Sequence, residues 1–309
     1  MKQIEEIPLE ICDEGDENYV SYSDTDSIYV HAEPLLRFLY PNFDEMGDEE
    51  KDKVLEEEAI NYQNIINDSY SQLASECFNV PTHKLEMKTE AVIRSAYFRA
   101  TRRYAQWITK QEGITKEVLD IKGLEFKKAN FPPILGKFFK EILVEVLKGM
   151  GEEEVNDKIT KLRKQILTGE IPFTDLGNPT SVKTLNKYIE RKASVGEIFS
   201  KMKKGAPAAV KASSNYNDLL RFWKLNSKHN YISQGEKIKW IYLKSNPYQV
   251  ESIAFLEGDM PDKIKAFIEA NVDRNKIFTS ILLNKLEGFF GDIGYNLYIN
   301  EYKNKFFKL

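Results

Sequence analysis

Asp24-Thr25-Asp26 concentrates more reactive oxygen than any other stretch of this 309-residue sequence. Two carboxylates one residue apart on a tight turn repel by about 2–3 kcal/mol when separated by roughly 6 Å at an effective dielectric near 20. A bound Mg2+ reverses the sign of that interaction, and hard carboxylate oxygens that leave coordination positions open for phosphate suit this ion. The same residues would also serve as a hairpin turn whose carboxylates cap backbone N–H groups. Spacing alone leaves both readings open.

The elements around the pair set its placement. Residues 19–33, YVSYSDTDSIYVHAE, read as two short strands with Ser-Asp-Thr-Asp-Ser at the tip. A long helix is predicted over 48–78, where Leu55, Ala59, Tyr62, Ile66, Leu73 and Cys77 recur at helical spacing and Pro81 lies just beyond. Residues 82–126 alternate apolar and polar in three pieces, expected to form three antiparallel strands. Near Asn130-Phe131-Pro132-Pro133 the period changes from two to 3.6. One wide apolar helix face follows, from Ile134 to Leu147, and then an amphipathic helix over 152–168 ended by Gly169. The last third mixes helices (213–226, 262–270, 273–288) with a strand pair around 234–256. The expected class is α+β: a partial antiparallel sheet with a packed helix to about residue 130, then a mostly helical domain over 131–309, with residues 1–18 as an acidic N-terminal arm.

Composition bounds the chemistry. A hydrophobic content of 42% and a charged content of 30% fit a globular chain, with no run approaching the ~18 apolar residues of a membrane span. Cys12 and Cys77 lack CxxC spacing, and His31, His83 and His229 are isolated, so no zinc site, disulfide framework or nucleophilic triad is suggested. A reducing cytoplasm is the expected setting, and no membrane partner is expected. Net charge is −4, but unevenly spread. Residues 1–58 hold 19 Asp/Glu against 4 Lys/Arg, whereas the remainder holds 40 Lys/Arg against 29 Asp/Glu. An acidic head could hold a divalent cation, and a basic remainder could follow a phosphate backbone. Neither GxxxxGK[ST], GxGxxG nor GxSxG occurs.

Tyr22-Ser23-Asp24-Thr25-Asp26-Ser27, followed by Ile28-Tyr29-Val30, closely resembles the palm signature of family B DNA polymerases, with Ser23 where that pattern has Gly. The resemblance implies that Asp26 ligates the two catalytic Mg2+ ions, for which Mn2+ could substitute, and that Asp24 supports them as a catalytic and metal-site residue. Lys84-Leu85-Glu86-Met87-Lys88-Thr89-Glu90 then looks like the next palm strand, with Glu90 as a further catalytic carboxylate and Glu86 as second choice. Thr101-Arg102-Arg103-Tyr104-Ala105 resembles the Lys-Lys-Arg-Tyr motif that tracks the primer–template minor groove, and Ile121-Lys122-Gly123-Leu124-Glu125-Phe126-Lys127-Lys128 resembles a strand with basic primer contacts. By that likeness Arg102, Arg103, Tyr104, Lys122, Lys127 and Lys128 would bind DNA. Gly205-Ala206-Pro207, Lys211 and Tyr216-Asn217, then Gly235-Glu236-Lys237-Ile238, resemble thumb segments of tailed-phage replicative polymerases, which adds Lys211.

The resemblance also implies missing parts. The second palm Asp motif, Asp-x-x-Ser-Leu-Tyr-Pro, and the fingers Lys are not found in residues 1–309. The expectation is a C-terminal subunit of a naturally split DNA-directed DNA polymerase, with residues 19–130 as part of the palm and 131–309 as the thumb. It would act on primer–template DNA and dNTP, with an N-terminal fragment supplying exonuclease, fingers and the remaining palm. A sliding clamp is a further candidate partner, although Phe306-Phe307-Lys308-Leu309 lacks the acidic character of a clamp peptide. A non-catalytic DNA-binding or scaffolding subunit is the alternative. A DxD glycosyltransferase would need a βαβ start upstream, for which there is no room.

Overall fold

A computed structural model describes residues 19–80, 82–124 and 131–298, which form two compact units divided between Leu124 and Glu125. Helix accounts for 45% and strand for 21%, an α+β composition with antiparallel sheets. No helix among the described residues is long and apolar enough to cross a membrane.

In the first unit, β1 (Val20–Asp24) and β2 (Ser27–Val30) form an antiparallel hairpin with Asp24 opposite Ser27. Tyr22, Asp24, Ser27 and Tyr29 share its half-buried face, while Val20, Ile28 and Val30 are exposed on the other. The short helix α1 (Glu33–Leu39) follows, with Pro34 in its first turn, where the missing N–H costs nothing. The 29-residue helix α2 (Asp48–Glu76) opens on Asp48, Glu49 and Glu50, whose charges favour a helix N-terminus. Val54 of α2 closes a small core with Leu36 and Phe43.

The sheet consists of β3 (Ala91–Ala100), β4 (Arg103–Gln111) and β5 (Ile114–Lys122), with β4 central. Ala105, Trp107 and Ile108 of β4 are buried in it. Glu112 and Gly113, both at positive φ, turn β4 into β5, the geometry that suits a two-residue hairpin loop. Arg94 of β3 ties the sheet to α2 by donating to Asp48 at 2.6 Å and Asp52 at 2.7 Å. The three expected strands exist, but the first starts at Ala91 rather than Lys84. The backbone ahead of it bonds to side chains of α2 instead of a neighbouring strand. Asn67 exchanges two hydrogen bonds with Met87, and the Thr89 N–H donates to Gln63 at 2.6 Å.

The second unit begins with α3 (Pro133–Leu147), which buries Leu135, Phe139, Ile142 and Leu143. Helix α4 (Glu152–Thr168) buries Val155, Ile159, Leu162 and Ile166 and ends at Gly169 in the left-handed conformation. The one-turn helix α5 (Phe173–Leu176) leads into β6 (Asn178–Ser181), and α6 (Leu185–Tyr188) into the short pair β7 (Ile189–Arg191) and β8 (Lys201–Met202). Helix α7 (Ala208–Phe222) starts earlier than the expected 213 because Pro207 fixes its entry. It packs on β10 (Ser252–Phe255), which pairs with β9 (Lys237–Tyr242), which in turn pairs with β6. Tyr216, Leu219, Leu220, Ile241, Ile253 and Phe255 fill the space between α7 and this sheet. Helices α8 (Asp262–Asn271) and α9 (Arg274–Ile277), a π-helical turn over Phe278–Leu283 and α10 (Asn284–Asp292) complete the unit.

Candidate catalytic hairpin and nucleic-acid interface

The tip of the β1–β2 hairpin is two residues long, Thr25 and Asp26. Thr25 sits at φ 57°, a conformation that a β-branched residue adopts at a cost of about 1–3 kcal/mol. The bend is closed by the Asp26 N–H donating to the Asp24 carbonyl at 2.7 Å and by the Ser27 hydroxyl donating to the same oxygen at 3.2 Å.

Four aromatic rings set the position of this tip. Tyr22 and Tyr29 face Phe98 of β3 and Tyr104 of β4, with centroids between 5.2 and 5.9 Å apart. Offset and tilted pairs at this range are favourable beyond their burial. The Tyr29 and Tyr104 hydroxyls meet at 3.3 Å, and burial together with this contact raises the Tyr104 pKa, so its phenol stays protonated. Because strand side chains alternate, the face that carries Tyr22 and Tyr29 into the rings also carries Asp24.

The hairpin thereby meets the Thr101-Arg102 turn between β3 and β4. The Arg102 N–H donates to the Tyr22 hydroxyl at 2.9 Å, and its guanidinium donates to the Asp24 carboxylate at 3.1 and 3.5 Å. The Thr25 hydroxyl adds a bond to Asp24 at 3.1 Å. These donors, Arg102 first, hold the Asp24 carboxyl below the usual carboxylate range. Asp26 is exposed and its carboxylate has no hydrogen-bond or ion-pair partner among the described residues. The two carboxylates thus stand in different environments, one tied to the protein and one open to solvent.

Arg102, Arg103 and Lys122 gather at this end of the sheet. Tyr104 lies opposite Lys122, and Arg103 donates to the Gly123 carbonyl at 3.4 Å. Gly123, at φ 62°, passes so close to the turn that an added Cβ would lie 2.2 Å from the Arg102 carbonyl oxygen. That approach and the ring cluster were not read as functional in the sequence. Their signals were Gly123 itself and the period-two placement of Tyr22 and Tyr29 about the carboxylates.

Glu90 stands apart. It is exposed just ahead of β3, and its carbonyl accepts from Glu112 in the opposite turn. The nine residues of β4 separate that turn from Arg102, about 30 Å at ~3.3 Å per residue. Glu90 is therefore not brought to the Asp24–Asp26 tip, and Glu86 pairs only with Lys88, at 3.5 Å. Lys211 lies exposed on α7 in the second unit. Lys127 and Lys128, the arm over 1–18 and the C-terminal Phe306–Leu309 lie outside the described residues.

The donor set at the tip fits a hard cation in kind: two carboxylates, one of them open. It does not fit in number, since Mg2+ takes six ligands and no group of three or more His, Cys, Asp or Glu among the described residues is arranged to hold a metal. Such a tip is half a site.

No protein-family model matches the chain. Over 310 aligned residues, 93% of its length, it is 24% identical to the DNA-directed DNA polymerase of Escherichia phage RB69. It spans 32% of that polymerase's own length. The chain is thus similar, along nearly all of its length, to about a third of a phage family B DNA polymerase.

Proposed function

We propose that this chain is the C-terminal part of a DNA-directed DNA polymerase, with residues 19–124 as part of the palm and the second unit as the thumb. The observation that carries the reading is the contact between two motifs 78 residues apart: the Asp-Thr-Asp hairpin is seated on the Thr-Arg-Arg-Tyr turn through Asp24 and Arg102. A nucleotidyl-transfer site needs this adjacency, because the cation that activates a primer hydroxyl must lie where the primer's phosphates are held. Similarity to the phage polymerase supports the same reading.

In this reading Asp26 holds divalent metal and Asp24 orients the tip. Mg2+, when bound, would lower the pKa of the primer 3′-hydroxyl and neutralise the triphosphate. Arg103 and Lys122 would contact primer–template phosphates, joined from the thumb by Lys211. Tyr104, its ring packed and its hydroxyl protonated, would stiffen the strand that presents them. The remaining metal-binding Asp and the fingers cation would come from polymerase sequence outside these 309 residues, which also accounts for the incomplete ligand set. The exposed Val20, Ile28 and Val30 face of the hairpin is the surface such a segment would cover.

The test is primer extension by the chain assembled with that missing part, comparing wild type with Asp26→Asn. Loss of incorporation by at least two orders of magnitude, with primer–template affinity retained, is expected. Equal extension by D26N and wild type would reject the catalytic reading in favour of a DNA-binding subunit without catalysis.

A further inference from the structure

Asp24 and Asp26 are treated oppositely by their surroundings, and Arg102 is the reason. One guanidinium reaches both Asp24 oxygens, Nε to Oδ2 at 3.1 Å and Nη2 to Oδ1 at 3.5 Å, and the Thr25 hydroxyl takes a further position on Oδ1. A carboxylate offers about four acceptor positions, so Asp24 has little left to give a metal. Arg102 is not buried by this contact: its side chain is 74% exposed, against 31% for Asp24. Its backbone is fixed independently, by the Tyr22 hydroxyl on its N–H and by Gly123 packed under its carbonyl. The base of the side chain is therefore anchored while the guanidinium remains reachable from solvent. The same guanidinium suits a phosphate as well as it suits a carboxylate.

We propose that Arg102 is an exchangeable counter-cation for the hairpin: it neutralises Asp24 until a divalent cation displaces it, and the displaced guanidinium then becomes available to a DNA phosphate. This rests on the metal-binding reading above and deepens it. Two competitions share one partner. Metal and Arg102 compete for Asp24, and Asp24 and phosphate compete for Arg102, so each ligand removes the obstacle to the other. Metal and DNA binding are then positively coupled, and by linkage each strengthens the other by the same factor. Arg102 is here a positioning residue, acting on the metal through Asp24.

The test uses the full 309-residue chain, with Mn2+ as probe and free Mn2+ read by electron paramagnetic resonance. Arg102→Gln should bind Mn2+ about fivefold or more tightly than wild type, within the usual range of coupling between sites. The double variant D24N/R102Q should lose that gain. R102K, which keeps the charge but not the planar fork, should fall between, and guards against a folding defect in R102Q. Binding of a short duplex, read by fluorescence anisotropy, should tighten on adding Mn2+ more in wild type than in R102Q. An R102Q chain that binds Mn2+ no more tightly than wild type, a gain that persists in D24N/R102Q, or equal Mn2+ enhancement of DNA binding in both chains would overturn the proposal. Mn2+ binding that is indifferent to Asp26→Asn would take it down together with the metal reading beneath it. Binding that depends on Asp26 but not on Arg102 would remove the exchange alone.

Discussion

Gly123→Ala isolates the close approach that seats the β3–β4 turn, and Gly113→Ala supplies its control. Both glycines belong to the first unit and both have positive φ, 62° and 77°. An alanine in the left-handed region costs about 1–2 kcal/mol at either position. Sterics then separate them. At Gly113 the nearest atom to a new Cβ is a Glu56 carboxylate oxygen 3.8 Å away, an ordinary contact at the end of a flexible side chain. At Gly123 the new Cβ would lie 2.2 Å from the Arg102 carbonyl oxygen, 3.2 Å from its carbon and 3.2 Å from Cγ of Arg103. Backbone must move, and overpacking of that kind adds about 1–3 kcal/mol. The expected losses are thus about 1–2 kcal/mol for G113A and about 2–5 kcal/mol for G123A. Urea titration in a W223F/W240F background, where Trp107 is the remaining indole, reads the first unit directly. Equal midpoint shifts for the two alanines would refute the close-approach argument. G123A should also weaken the Arg102–Asp24 pairing, because the displaced atom is the carbonyl of Arg102 itself.

Other expectations follow from the same geometry. Tyr104→Phe removes the contact with the Tyr29 hydroxyl but keeps the ring cluster, so it should cost about 0.5–1.5 kcal/mol in the same titration. Replacing Arg103 or Lys122 by Ala should weaken duplex binding about equally across sequences and reduce the magnitude of the salt slope by roughly 1 each, measured by anisotropy from 50 to 200 mM salt. In the second unit, the Asn230 N–H and the His229 ring at 2.6 Å hold the Asp259 carboxyl below its ordinary 3.8. A depressed folded-state pKa contributes stability above the unfolded value that is lost as pH falls through the folded one. Asp259→Asn should therefore lose stability at pH 6 and show a flatter decline below pH 4 than wild type, as read by denaturation midpoints; parallel pH profiles would contradict the assignment.

Legibility in the sequence followed the range of the interactions. Helix α4 was read at 152–168 because its apolar stripe and terminal Gly169 are local signals, and α2 was read at 48–78 against Asp48–Glu76 for the same reason. The strands β6, β7 and β8, two to four residues each, are too short to show a period. The stretch before Ala91 alternates like a strand, yet its hydrogen bonds go to Asn67 and Gln63, partners that no pattern in residues 82–90 specifies. The same limit applied at the tip. Asp24 and Asp26 were visible as a pair, whereas their unequal standing depends on Arg102, 78 residues on from Asp24. Glu90 was placed with them by order along the chain, and the length of β4 puts it at the far end of the sheet.

The hairpin bearing the carboxylates has only two strands, and among the described residues neither pairs with a third. Two-stranded ribbons are marginal in water, so what fixes this one is the contact of Tyr22 and Tyr29 with the larger sheet. Its backbone amides should then exchange with solvent deuterium by local opening, far sooner than those of β4 at the centre of its sheet. The catalytic tip would be the least protected part of the unit that carries it, and a strand added along either open edge would slow that exchange first at β1 and β2.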